Sequence, residues 1–356
     1  MISLAVIGAT GAVGRECLAL LDRTSSPLER VVPVASAHSA GLDLGPELGL
    51  SLPLDPVTTL TELDPESLDA AILCAGAEVS QSEAGRLAAA GVLVVDNSSA
   101  FRMRGDVPLV VPEVNPHALA ERPASNLVSS PNCSTIQLVR VLAPLHALAG
   151  LEEVVLSTYQ AASGGGLRGL AELAEASADF LADPKSPQEE PGRFGQPLSF
   201  NLVPEIGRTD DTGFTHEERK LTAEPRKILG LPQLRISATA VRVPVFHCHS
   251  EAVRVRLREA VSAVEVEDAL AVVPGLKVYR RSDPAPAYPM PRSACVDDED
   301  RAMVHVGRIR VDPDDPQALW LWIVADNLWV GAALNTVRTV ELAVRYGWLN
   351  GGTTPR

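Results

Sequence analysis

The sequence predicts an α/β protein of two domains: an N-terminal doubly wound parallel sheet followed by an α+β domain. Three observations carry this. The chain has 356 residues, more than a single hydrophobic core usually serves. Its first third alternates short apolar runs with helical patterns, the mark of βαβ units around a parallel sheet. After residue 131 the strands lengthen and alternate apolar residues with Arg, Ser or Thr, the pattern of an antiparallel sheet with one wet face. With 46% hydrophobic and 21% charged residues, the chain can bury enough apolar surface to exclude global disorder.

Taken in order, residues 2–7 (ISLAVI) read as a buried strand, followed by GATGAVG and a helix from about Gly14 to Arg23. Strands are expected at 31–35, 69–74 and 92–96, with a helix near 79–90 between the last two, and shorter strands at 108–111 and 126–130. The segment 131–150 opens a helix that Pro144 should end or kink. The longer strands are 153–161, 234–245, 250–257 and 303–311, and 214–229 is a charged helix. Residues 183–197 and 282–300 are loops rich in Pro and charge, and 331–348 form an amphipathic closing helix.

The net charge of −14 makes nucleic acid and anionic membrane poor partners. It is uneven. Residues 1–100 carry a net −9 and the remainder −5, so an anionic substrate needs a local basic cluster, best sought in the second part. No run of about 18 uncharged apolar residues exists to span a membrane, and no positive charge precedes the first apolar run as in a signal peptide. Five cysteines without a CxxC pair argue for reduced thiols. The expected address is the cytoplasm.

Three segments carry chemistry. GATGAVG sets Gly8, Gly11 and Gly14 between a strand and a helix: Gly8 makes the tight turn, Gly11 admits a pyrophosphate, and Gly14 lets helix and strand approach. The second strand ends in ValAlaSerAlaHis (34–38). Ser36 stands where NAD-preferring sites carry a carboxylate, which leaves room for a 2′-phosphate and points to NADP. In SSPNCSTIQL, Cys133 lies at a helix start, where the helix field favours a thiolate, and its neighbours are polar. That reads as a nucleophile rather than a buried small hydrophobe. VRVPVFHCHS supplies Arg242 and His249. On an unbroken strand these point to opposite faces, His247 sharing the face of His249, but Pro244 can bend the strand. A metal site at 247–249 is disfavoured, because no further ligands stand at a usual spacing. His249 as acid/base partner of Cys133 is the third reading. On the charged helix, Glu217 and Lys220 lie three apart on one face, and Lys220 is one of only four lysines against 27 arginines.

Over essentially its full length the chain resembles the aspartate-β-semialdehyde dehydrogenase family. The matching segments are GATGAVG (8–14), VVDNSSAFRM (94–103), VPLVVPEVN (107–115), PNCST (131–135), TYQAASGGG (158–166), NLVPEIG (201–207), EERK (217–220), RISATAVRVPV (235–245) with HS (249–250), VGRIR (306–310) and DNLWVGAALN (326–335). The resemblance implies a Rossmann-like NADP-binding domain over 1–131, completed by the C-terminal helix (327–356) returning to it, and a catalytic and dimerisation domain over 132–326. It implies reduction of L-aspartyl-4-phosphate by NADPH to aspartate semialdehyde and phosphate, on the route to lysine through diaminopimelate and to threonine, methionine and isoleucine, in a homodimer or homotetramer. Cys133 resembles the nucleophile, His249 the acid/base and Gln160 the residue that orients the thioester. Arg242 would hold the α-carboxylate and Glu217 the amino group, while Arg102, Asn132 and Lys220 would bind phosphate. The cofactor residues would be Gly8, Thr10, Gly11, Ala12, Val13, Gly14, Ser36, His38, Ser39, Gly164 and Asn327.

Some positions depart from the family pattern. His38 replaces an Arg that contacts the 2′-phosphate, which weakens the expected NADP preference. CysAlaGlyAla (74–77) with Glu78 replaces SAGG, SerGlyGlyGly (163–166) replaces SGAG, and Val330 replaces a Lys. None removes a catalytic group. The alternatives are N-acetyl-γ-glutamyl-phosphate reductase, whose substrate lacks the free amino group that Glu217 and Lys220 suit, and a non-catalytic paralogue.

Overall fold

The computed structural model describes residues 1–185 and 192–349. The middle of the 183–197 loop and the end of the C-terminal segment lie outside the described residues. In chain order the strands are β1 (Ile2–Ile7), β2 (Leu28–Val34), β3 (Ala70–Leu73), β4 (Leu93–Asp96), β5 (Leu127–Ser129), β6 (Leu151–Gln160), β7 (Arg235–Arg242), β8 (His249–Leu257), β9 (Leu276–Val278), β10 (Val304–Asp312) and β11 (Asp315–Ala325). The helices are α1 (Ala12–Leu21), α2 (Leu44–Leu48), α3 (Ala77–Ala89), α4 (Cys133–Ala149), α5 (Gly166–Ala182), α6 (His216–Leu229), α7 (Ala263–Ala271), α8 (Asp298–Arg301) and α9 (Leu334–Arg345). The chain divides into two compact units, one running to Asn132 and resuming at Ala332, the other spanning Cys133–Gly331.

The first unit holds a parallel sheet of order β2-β1-β3-β4-β5. Strands β3 and β4 are buried at every residue, which is why they read as unbroken apolar runs. From β1 the chain moves outward to β2, and from β3 it moves the other way to β4. Right-handed crossovers in opposite directions put helices on both faces, so the sheet is doubly wound as expected. Its core includes Ala5, Ile7, Val32, Leu73, Leu87 and Val94. Helix α9 returns to this unit and packs on α1 and β4. The stretch at 108–111 makes one bridge, Leu109 to Ser129, rather than a strand.

The second unit holds a six-stranded sheet of order β7-β6-β8-β11-β10-β9. The expectation of an antiparallel sheet is corrected here: β6 runs parallel to β7 and β9 parallel to β10, so the sheet is mixed. The reason is the connection. The chain passes through α5 and α6 between β6 and β7, and such a crossover permits parallel pairing. Strand periodicity reports which face is wet, not the direction of the neighbour. Helix α4 packs on β6, β8 and β11 and continues through Pro144 to Ala149. The segment expected as one strand over 234–245 ends at Arg242, and β8 begins at His249 after the bend at Pro244.

Candidate active site

In the first unit the glycine turn is forced by contact. Gly8 has φ of 91°, and a Cβ there would come within 2.8 Å of the Cys74 carbonyl carbon. A Cβ on Gly14 would lie 2.2 Å from the Gly8 carbonyl oxygen. Gly11 is the N-cap of α1 with extended backbone, and no side chain caps the helix. The first-turn amides of Ala12, Val13 and Gly14 therefore offer a side-chain-free helix N-terminus beside Thr10. The turn lies at the carboxyl end of β1 next to β3, where the strand order reverses and open α/β sheets bind ligands. A turn that a Cβ would fill, at a bare helix end, fits the pyrophosphate of a dinucleotide.

Also in this unit, Ser36 and His38 are exposed and Ser39 is half-buried, around a single 3₁₀ turn after β2. Arg102 is buried. Its Nε donates to the Ser130 carbonyl at 2.9 Å and its Nη2 to the Asn97 carbonyl at 2.7 Å. Those carbonyls follow β5 and β4, so two strand ends orient the guanidinium. Asn132, also buried, closes the unit. Glu78 is exposed in the first turn of α3, where the helix field tolerates a carboxylate.

The second unit gathers the remaining predicted residues. Cys133 is the first residue of α4, half-buried and in no disulfide. A Cβ on Gly331 would come within 2.8 Å of the Cys133 Cβ, so the chain after β11 seats the cysteine through a glycine. Gln160 ends β6, and its Nε2 donates to Glu217 Oε1 at 3.1 Å and to Thr158 Oγ1 at 3.3 Å. Glu217 Oε2 accepts from Lys220 Nζ at 2.9 Å. A capping box of Thr215 and Glu218 fixes the start of α6 and hence Glu217. Arg242, at the end of β7, donates from Nη1 to the Ala161 carbonyl at 2.8 Å.

Histidine 249 is fully buried at the start of β8. Its Nδ1 accepts the Ala161 N–H at 3.0 Å, and its Nε2 has no hydrogen-bond partner. A neutral ring whose Nδ1 accepts carries its proton on Nε2. Burial, then the Arg242 charge, push its pKa down to about 3 against the opposing pull of Glu217, so the ring is neutral. Burial lowers the Arg242 pKa, while Cys133 and Glu217 oppose that shift through their charge. Cys133, Glu217 and His249 thus all sit within the field of one guanidinium. A Cβ on Gly164 would lie 2.7 Å from Arg242 Nη1 and 3.5 Å from His249 Nε2. Asn327 Oδ1 accepts from Ser163 Oγ at 2.8 Å and from the Cys248 N–H at 3.1 Å, tying the Gly164 turn to the residue before His249.

The chain bends at Pro244, as the sequence allowed. His247 is exposed and lies outside the strand, while Arg242 and His249 sit on separate strands and reach the same site. Sequence reasoning missed Thr158, Ser163 and Gly331 as supports. Gly331 lay within the DNLWVGAALN match, but nothing local shows that it touches Cys133. Val330 is buried, which gives the departure from Lys a packing reason.

A nucleotide-binding parallel domain joined to a domain that brings a cysteine, a neutral histidine and an arginine together defines a thiol-dependent oxidoreductase. The model of the semialdehyde dehydrogenase NAD-binding domain matches residues 3–122, and that of the semialdehyde dehydrogenase dimerisation domain matches residues 142–330. The chain belongs to the semialdehyde dehydrogenase family. It is 41% identical to an aspartate-semialdehyde dehydrogenase of Campylobacter jejuni over 95% of this chain and 96% of that one. It is 38% identical to that of Aquifex aeolicus over 97% and 98%. Aspartate semialdehyde dehydrogenase II of Vibrio cholerae, solved in complex with ASA, has a TM-score of 0.89 at 38% identity, covering 97% of this chain and 98% of that one.

Proposed function

We propose that the protein reduces L-aspartyl-4-phosphate to L-aspartate-4-semialdehyde with NADPH, releasing phosphate. The observation that carries this is the side-chain cluster in which the Arg242 charge acts on both Cys133 and His249, with Gln160, Glu217 and Lys220 joined by hydrogen bonds. An α-amino acid needs a cation for its carboxylate and an anion for its amino group, and Arg242 and Glu217 supply them. That pairing favours this substrate over an N-acylated one, and the names of the relatives favour it too. Arg102, Asn132 and Lys220 bind the phosphate. Gly8, Thr10, Gly11, Ala12, Val13, Gly14, Ser36, His38 and Ser39 hold the dinucleotide, with Gly164 and Asn327 on its nicotinamide side.

The Cys133 thiolate attacks the acyl-phosphate carbon; a C–S bond forms, the C–O bond to phosphate breaks, and phosphate leaves. NADPH, when bound, supplies the hydride. A thioester is required because sulfur attacks well, leaves well and keeps the carbonyl electrophilic. Gln160, held by Glu217 and Thr158, orients that carbonyl. His249 presents Nε2–H to the oxygen of each tetrahedral species and stabilises its charge as a hydrogen-bond donor. Collapse then breaks the C–S bond, giving the aldehyde and restoring the thiolate.

The dimerisation-domain match supports a homodimer or homotetramer. Among the described residues no helix is long and apolar enough to cross a membrane, and the biosynthetic role we propose places the enzyme in the cytoplasm. Steady-state assays with phosphate, aspartate semialdehyde and either NADP or NAD test the proposal. Turnover of this substrate above N-acetylglutamate semialdehyde supports it, and the reverse order overturns it.

A further inference from the structure

One fully buried titratable group has no part in the reaction just described. Glu251 lies on β8 two residues after His249, on the same strand face, and is 0% exposed. It sits across from Thr158 of β6 and Ile323 of β11, beneath α4. Gln137 of α4 lies beside it. Gln137 is four residues after Cys133, so the two share a helix face. The helix pair Cys133 and Gln137 therefore lies over the strand pair His249 and Glu251.

Besides His249 Nε2, four side-chain atoms of Glu251 and Gln137 lack hydrogen-bond partners: Glu251 Oε1 and Oε2, and Gln137 Oε1 and Nε2. Buried polar atoms are rarely left so. The two groups are adjacent, and their inventories match only if the carboxyl carries a proton. A carboxylic acid donates one O–H and accepts one N–H, while a primary amide does the converse. Together they satisfy all four atoms through a small side-chain adjustment. A carboxylate would leave Gln137 Oε1 with no donor, and full burial opposes that charge. Burial pushes the Glu251 carboxyl well above the usual range, outweighing the opposing pull of the neighbouring Gln137 amide.

We propose that Glu251 is a positioning residue, a neutral acid that pairs with Gln137 and locks the Cys133 helix onto the strand that carries His249. The inference rests on the reading of Cys133 and His249 as the reacting pair. A misplacement of about 1 Å at such a pair lowers turnover on the order of 10²-fold. Glu251→Gln keeps a paired amide and should retain kcat within about threefold, by the same inventory. Glu251→Leu should lower kcat roughly 10- to 100-fold with little change in KM. The double variant Glu251→Leu, Gln137→Leu removes both orphan groups and should recover much of that loss, a non-additivity that contacting partners show.

The test combines these kinetics with two measurements on the intact enzyme that need no turnover. Infrared difference spectra of wild type against Glu251→Gln at neutral pH should show a protonated-carboxyl C=O band that only the wild type has. The pH profile of Cys133 alkylation by iodoacetamide should be the same in both, because no charge has been removed. Absence of the band, an alkylation profile displaced to lower pH in Glu251→Gln, or a Glu251→Gln enzyme as impaired as Glu251→Leu would overturn the proposal. A wild type inactive on aspartate semialdehyde but showing the band would instead reject the proposed substrate and leave the buried pair in place.

Discussion

Gly164 occupies a position where one methyl group separates binding from folding. It lies in a 3₁₀ turn (Ala162–Gly165) with an ordinary φ, so alanine fits the backbone there. The added Cβ would stand 2.7 Å from Arg242 Nη1, whereas non-bonded atoms settle at about 3.5–4.0 Å. The guanidinium must retreat by about 1 Å, and its 2.8 Å bond to the Ala161 carbonyl is lost. A hydrogen bond to a charged group contributes about 1.5–3 kcal/mol. With tenfold for each 1.4 kcal/mol, Gly164→Ala should raise KM for aspartate semialdehyde about 10- to 150-fold. Stability should fall by about 0.5–2.6 kcal/mol, the lost bond set against the about 0.4–1 kcal/mol by which alanine restricts the unfolded chain, which leaves the protein folded for the assay. The assay is KM and kcat for the semialdehyde at saturating NADP and phosphate, alongside thermal unfolding. An unchanged KM, or a loss of stability large enough to explain the activity, would refute the assignment of Arg242 to the substrate.

Gly14→Ala should abolish measurable NADPH binding and destabilise the first unit, since its Cβ would lie 2.2 Å from the Gly8 oxygen; fluorescence titration and calorimetry check this. His38→Arg should widen the preference for NADP over NAD, because an arginine always carries charge and binds phosphate through two donors; equal kcat/KM ratios in both proteins would remove His38 from the 2′-phosphate site. The folded His249 takes up its proton only near pH 3, the unfolded one near 6.5. Unfolding therefore binds a proton between these values, and stability falls as pH drops through that window by up to about 1.4 kcal/mol per unit. Denaturant melts of wild type against His249→Asn should show a steeper fall in the wild type, the difference between the two being this slope.

The glycine turn, Cys133 and the first parallel sheet were legible because each is written locally, in strand–turn–helix order and in unbroken apolar runs. In the second unit Cys133, His249 and Arg242 stand out locally, but Gln160 and the individual roles are legible only through the whole pattern of matching segments. Residues far apart in sequence, such as Gln160 and Glu217, or Cys133 and Gly331, meet through tertiary packing that no spacing encodes. Helix α5 and strand β11 were not anticipated. Glycine is a poor helix former, yet Gly165 caps and Gly166 opens α5. In β11, Leu319, Leu321 and Ile323 alternate with Trp320 and Trp322, a strand signal that went unused. Strand direction in the mixed sheet depended on the α5–α6 crossover.

Everything in the proposed reaction passes through an acyl group on Cys133. The direct measurement is intact-protein and peptide mass after mixing enzyme with NADP and aspartate semialdehyde, with phosphate withheld. The account predicts one aspartyl adduct on the peptide containing Cys133, released as aspartyl phosphate when phosphate is added, and none in Cys133→Ser. An adduct on Cys17, Cys74, Cys248 or Cys295, or normal dehydrogenase turnover by Cys133→Ser, would contradict it.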